Sequence, residues 1–156
     1  MCIRDRINTT EFNIEGYPND QFLKLVLDNT PDQCTLVPDP PGVLTSNEGW
    51  NTIEHKDLLI KVIDQLHNKD IRVSLFLDPK IDMVEAAKLT GTDRVEFYTG
   101  SYAHRYIQDS EQSIKDHISA AKKANELGLG INAGHDLNLN NLKYYAAHIP
   151  LSLIHI

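Results

Sequence analysis

A chain of 156 residues and 17.6 kDa has room for one domain or for a piece of a larger one. Its formal charge of −7 argues against a binder of nucleic acid or of an anionic membrane, which requires a basic face; a small phosphorylated substrate, held by local backbone N–H groups, stays open. No run of about 18 apolar residues is present to span a membrane, and the only cysteines, Cys2 and Cys34, are too few for a disulfide scaffold and fit a reducing cytoplasm.

The end segments MCIRDR (1–6) and LSLIHI (151–156) read as translated adapter sequence, so the fold is expected within residues 7–150, with the native gene continuing on both sides. A real strand is the alternative for LSLIHI, whose alternation tolerates one. Between the ends, short apolar runs alternate with helical patterns. Residues 8–15, with the run FNIE, predict a strand. Asn19 offers a helix cap, and Phe22, Leu23, Val26 and Leu27 then fall at helical spacing until Pro31. CTLVP (34–38) predicts a second strand. The loop DPPGVLTSNEGW follows, and then a helix with Leu58, Leu59, Val62, Ile63 and Leu66 on one face.

IRVSLFLD (71–78) is the strongest strand signal, β-branched and aromatic between charges. Asp78-Pro79 predicts a cap and first-turn proline for a helix through Met83, Val84 and Ala87 that stops at Gly91. RVEFYTG (94–100) is a strand. A helix over 113–127 turns Ile114, Ile118, Ala121 and Leu127 inward and ends at Gly128. LGINAG (129–134) is the last strand, and Leu139, Leu142 and Ala146 begin a final helix. Five strand-then-helix units in succession imply an α/β fold with a parallel sheet, its strands apolar on both faces. Either a doubly wound sheet or part of a (β/α)8 barrel follows, since a whole barrel takes roughly 250 residues.

Both architectures bind ligands at the carboxyl ends of the strands, and every strand here ends on ionisable or hydroxyl groups. Glu15 closes the first. Partly desolvated at a barrel mouth it could accept a proton, although a solvated strand end explains it equally well. Glu96, between Val95 and Phe97, points to the face opposite them; a buried carboxylate without a task is costly, which favours a functional role. His135 follows a glycine turn and could donate a proton near pH 7, yet spacing alone favours an ordinary loop histidine. Asp78 is read as a cap. Thr45 and Ser46 lie in a long loop of the kind that often covers ligands. His55, His67, His104, His117 and His148 are scattered without metal-ligand spacing, so no metal site is expected. The glycines of GLGINAG begin a strand rather than follow one, which excludes a dinucleotide loop.

FNIEG, CTLVPD, LTSNEGW, IRVSLFLD, RVEFYTGSYA and GLGINAGHDLNLNNL, in that order and spacing over residues 8–150, resemble the pyridoxine 5′-phosphate synthase family of vitamin B6 biosynthesis. The resemblance implies strands three to seven of a (β/α)8 TIM barrel in a homo-oligomer, an octamer in the family. It implies condensation of 1-deoxy-D-xylulose 5-phosphate with 3-amino-2-oxopropyl phosphate to pyridoxine 5′-phosphate, phosphate and water, without metal or organic cofactor. By motif, Glu15 corresponds to the proton acceptor, His135 to the proton donor and Glu96 to the transition-state stabiliser. Thr45 corresponds to a deoxyxylulose-phosphate ligand. Asp136 stands where many members have a glycine that helps to bind the aminooxopropyl phosphate, so its side chain is expected to turn away and cap the following helix. The family's Asn-x-Asp-His strand, a further histidine base and the Gly-His strand have no counterpart here, and the chain alone is expected to be inactive and poorly soluble. The alternatives are a non-catalytic phosphate-ligand-binding fragment, or another (β/α)8 phosphate isomerase or aldolase; no strand carries the Schiff-base lysine an aldolase would need.

Overall fold

The computed structural model describes residues 11–40, 42 and 48–154. Thr45, Ser46, the segment 1–6 and the last two residues of LSLIHI lie outside that set. Strands and helices alternate: β1 (Asn13–Gly16), α1 (Asp20–Asn29), β2 (Gln33–Leu36), α2 (Lys56–His67), β3 (Arg72–Leu77), α3 (Ile81–Lys88) and β4 (Arg94–Tyr98). Two helices, α4 (Gly100–Tyr106) and α5 (Ser110–Glu126), precede β5 (Gly130–Gly134), and α6 (Leu142–His148) and β6 (Leu153–Ile154) follow.

Local chemistry sets these boundaries. The Asn19 side chain accepts the Phe22 N–H at 2.8 Å and starts α1. Thr30, in the left-handed region at φ 40°, ends it before Pro31. Asp109 caps α5 by accepting the Gln112 N–H at 2.9 Å. Asp78 does not cap α3, contrary to the sequence expectation. The chain turns first, with the Lys80 N–H on the Asp78 carbonyl at 2.7 Å, so Lys80 holds the cap position and its ammonium pairs with the Asp78 carboxylate at 3.0 Å.

All strand pairs are parallel and lie in the order β1-β2-β3-β4-β5-β6. A doubly wound sheet reverses its order at a switch point; a barrel wall does not, so the fold is a partial (β/α)8 barrel. The sixth strand falls within LSLIHI, pairing Asn132 with Leu153 and Ala133 with Ile154. A segment at this point of the chain meets the open edge of β5, and the Ser152 N–H reaches the Ile131 carbonyl at 2.6 Å.

The sheet's two faces differ more than the apolar runs suggest. Cys34, Leu36, Val73, Leu75, Val95 and Phe97 face the helices and form the core. The alternate positions Gln33, Thr35, Ser74, Glu96 and Asn132 are buried as well, yet polar. At the amino ends of the strands, Gln33 Oε1 accepts from Arg72 Nε and Arg94 Nη1, each at 3.1 Å, and both guanidinium groups reach Glu11. This network closes the bottom of the wall.

The helices bury narrower stripes than their apolar content suggests. Leu58 and Ile118 are exposed, and Leu139 lies outside α6 at 95% exposure. Ala146 is exposed too, and the residue α6 buries is Tyr145. Tyr145, Tyr102 and His117 form a buried aromatic cluster among α4, α5 and α6, where His117 Nδ1 hydrogen-bonds the Tyr145 hydroxyl at 2.8 Å.

Candidate active site

Strand register decides which side chains share a face. Glu15 pairs with Thr35, Thr35 with Ser74, Phe76 with Glu96, Glu96 with Asn132, and Tyr98 with Gly134. Because side chains alternate, these residues all stand on the concave face, opposite the helices. Glu15 and Glu96 therefore open onto the same side.

Their environments differ. Glu96 is 1% exposed in the middle of the wall, beside Asn132, whose amide nitrogen donates to the Ser74 hydroxyl at 3.3 Å. Glu15 is exposed, on a strand that is an edge among the described residues. Its charge still reaches Cys34. Burial first, and the Glu15 carboxylate second, push that thiol up to about 12.

At the carboxyl end of β5 the backbone departs from the ordinary. His135 and Asp136 hold φ of 80° and 57°, the left-handed region that costs a non-glycine residue about 1–3 kcal/mol. Neighbours hold the turn. Thr99, fully buried after β4, donates its N–H to the Gly134 carbonyl at 3.1 Å, and its hydroxyl contacts the carbonyls of both Gly134 and His135. Asn141 and Asn138 reach the Asp136 carbonyl at 3.1 and 3.4 Å.

The His135 ring lies against Phe76 and Tyr98, with centroids 5.2 and 5.5 Å away, and so sits over the concave face. Burial, then the charges of Asp136 and Asp78, push the Tyr98 phenol up from its ordinary value. Asp136 contributes its carbonyl rather than its carboxylate to the turn, and the expected cap of the next helix is absent: Asn141 holds the cap position of α6, without a side-chain cap bond.

Thr45 has no described position, but the chain returning from its loop is pinned to the rim. The Trp50 N–H donates to the Phe76 carbonyl at 2.8 Å and its indole to the Leu36 carbonyl at 3.0 Å. A Cβ on Gly49 would fall 2.3 Å from Leu77 Cα and the Asp78 nitrogen, so only glycine passes there. A cleft of about 520 Å³, lined by Asp39, Trp50, His55 and Lys80 among others, opens at the ends of β2 and β3. A larger one of about 890 Å³ runs outward past Lys80, Tyr98 and Arg105. No group of three or more potential metal-ligating side chains occurs among the described residues.

Sequence reasoning passed over Tyr98, Thr99, Asn132 and Trp50. Two-residue alternation from Glu96 gives Tyr98, and counting back from Gly134 gives Asn132. A lone tryptophan closing a Pro/Gly-rich loop marks an anchor. Nothing local marks Thr99, whose partners lie 35 and 36 positions away.

The family model described as pyridoxal phosphate biosynthesis protein PdxJ matches residues 2–156. The pyridoxine 5′-phosphate synthase of Flavobacterium johnsoniae is 51% identical over 144 residues, 92% of this chain and 61% of the relative. That of Cytophaga hutchinsonii is 52% identical over 145 residues, 93% of this chain and 61% of the relative. The chain thus spans about three-fifths of the length of these curated relatives. A crystal structure of a xylose isomerase domain protein from Planctomyces limnophilus superposes with a TM-score of 0.58 at 9% identity, covering 96% of this chain and 63% of that one, a likeness of fold alone.

Proposed function

The chain belongs to the PdxJ family of pyridoxal phosphate biosynthesis proteins, and from that premise we propose that it carries the central wall of a pyridoxine 5′-phosphate synthase barrel. In this reading the site joins 1-deoxy-D-xylulose 5-phosphate to 3-amino-2-oxopropyl phosphate and closes the pyridine ring, with loss of phosphate and water. Glu15 accepts protons, His135 donates them and Glu96 stabilises charge in the transition state. Thr45 and the Asp136 position bind the two phosphorylated substrates.

The observation that carries the reading is the convergence on one face: Glu15 and Glu96 point to the concave side, and the His135 ring lies over it. The chemistry asks for that arrangement. When the amine condenses with a ketone, water leaves and the imine acidifies the neighbouring C–H bonds, because the resulting carbanion delocalises onto nitrogen. Glu15 takes such a proton, and His135 returns one to a departing hydroxyl, which leaves as water. Glu96, in a low-dielectric wall, offers negative charge to a cationic imine. The substrate's own imine is the electron sink, so the reading calls for neither cofactor nor metal.

The reading includes a homo-oligomer working in the cytoplasm; the buried Cys34 thiol suits a reducing compartment. No helix among the described residues is long and apolar enough to cross a membrane. The test is a full-length chimera in which residues 11–150 replace the matching segment of the Flavobacterium johnsoniae synthase. Glu15→Gln and His135→Asn are each expected to lower turnover about 10²–10⁴-fold with the fold intact, the range for a lost general acid or base. Product formation at the unsubstituted rate in both variants would defeat the proposal.

A further inference from the structure

A histidine that moves protons must be aimed, and a carboxylate or carbonyl on one ring nitrogen ordinarily does the aiming. Among the described residues neither ring nitrogen of His135 is hydrogen-bonded. Its direction is set by ring contacts with Phe76 and Tyr98 and by a main chain at φ 80°, followed by Asp136 at φ 57°. Two consecutive non-glycine residues hold that conformation only where the surroundings impose it.

Thr99 supplies the imposition. Its backbone N–H extends the β4–β5 ladder onto Gly134, and its single hydroxyl proton is shared between the carbonyls of Gly134 and His135. Both carbonyls turn toward Thr99 because the backbone at His135 is left-handed. Thr99 is fully buried, and its bond to the Gly134 carbonyl lies in the interior, with the His135 carbonyl at the part-buried margin. We infer that Thr99 is the positioning residue of His135, its hydroxyl locking the strained turn that aims the imidazole over the concave face; this rests on the reading of His135 as proton donor. Without the hydroxyl, the two carbonyls lose their shared donor and the turn relaxes toward negative φ. That rotation redirects the Cα–Cβ bond of His135 and swings the ring off Phe76 and Tyr98.

The chimera described above tests this with Thr99→Val, which keeps the shape and removes the donor, and Thr99→Ser, which keeps the donor. The valine variant is expected to lose about 10- to 100-fold in kcat per folded site with KM within about twofold, as for a misplaced rather than missing group. The serine variant is expected to stay within about threefold of the unsubstituted rate, a rescue that loss of packing alone would not produce. If the valine protein does not fold, Thr99→Ala provides the same comparison. A valine or alanine variant with unchanged kcat, while His135→Asn abolishes turnover, overturns the role of Thr99 and leaves the reading of His135 standing. Serine as impaired as valine overturns it too. Unchanged turnover in His135→Asn removes the reading and this inference together.

Discussion

His117 sits 1% exposed in the aromatic cluster behind the wall, with Tyr145 on Nδ1 and no hydrogen-bond partner for Nε2 among the described residues. Burial, and secondarily the Arg105 charge, push its imidazole down from 6.5 to about 3, so the fold holds it neutral. Because the folded value lies below the unfolded one, the unfolded chain binds more protons between them. The stabilisation is complete above pH 6.5 and is lost as pH falls toward about 3. Urea titrations of the full-length chimera should show unfolding free energy dropping across that window by at most about 1.4 kcal/mol per pH unit on account of this one group. His117→Gln should flatten the slope, and an identical slope in the two proteins would mean that His117 does not titrate on unfolding. The proposed site draws its strain from the same scale, since His135 and Asp136 pair a left-handed turn with a buried threonine.

At the scale of elements, capping chemistry and alternation carry most of the specification. Asn19→Ala should remove the bond to the Phe22 N–H and cost the chimera about 1 kcal/mol, read as a lower urea midpoint with an unchanged slope. Asn19→Asp, which restores an acceptor, should recover it. β3 and α1 were legible because β-branched and aromatic alternation, or a cap before an apolar stripe, acts within a few residues. α4 was not: GSYAHRY has no apolar period, and what buries it is Tyr102, whose hydroxyl donates to the Asn141 carbonyl at 2.7 Å. The outward face of Leu58 and Ile118 was equally hidden, since a helix on a barrel wall buries only the stripe that meets the sheet. For the candidate site, the inward turn of Glu96 followed from its neighbours alone. The exposure of Glu15 depended on what pairs with β1, and the aim of His135 on Thr99, both matters of tertiary context that no local pattern encodes.

For the whole molecule, one wall makes a half-formed lumen. The concave face carries Glu15, Ser74, Glu96 and Asn132, a polar surface suited to a closed barrel and costly to leave against bulk apolar partners. Among the described residues β1 and β6 are the edge strands of the sheet, the positions at which a closed barrel would add its further strands. A closed barrel leaves no edge strand, whereas the described sheet has two and the chain spans about three-fifths of the length of its curated relatives, so a second copy of the chain is one surface that can pair with it. The purified chain is therefore expected to elute from a sizing column as a broad, concentration-dependent distribution of large species and to form no pyridoxine 5′-phosphate from the two substrates. The chimera, which pairs both edges within one polypeptide, should elute as a single defined assembly and turn over. A sharp monomer peak together with measurable product from the 156-residue chain would mean that the wall satisfies its own edges and that the site needs nothing beyond it.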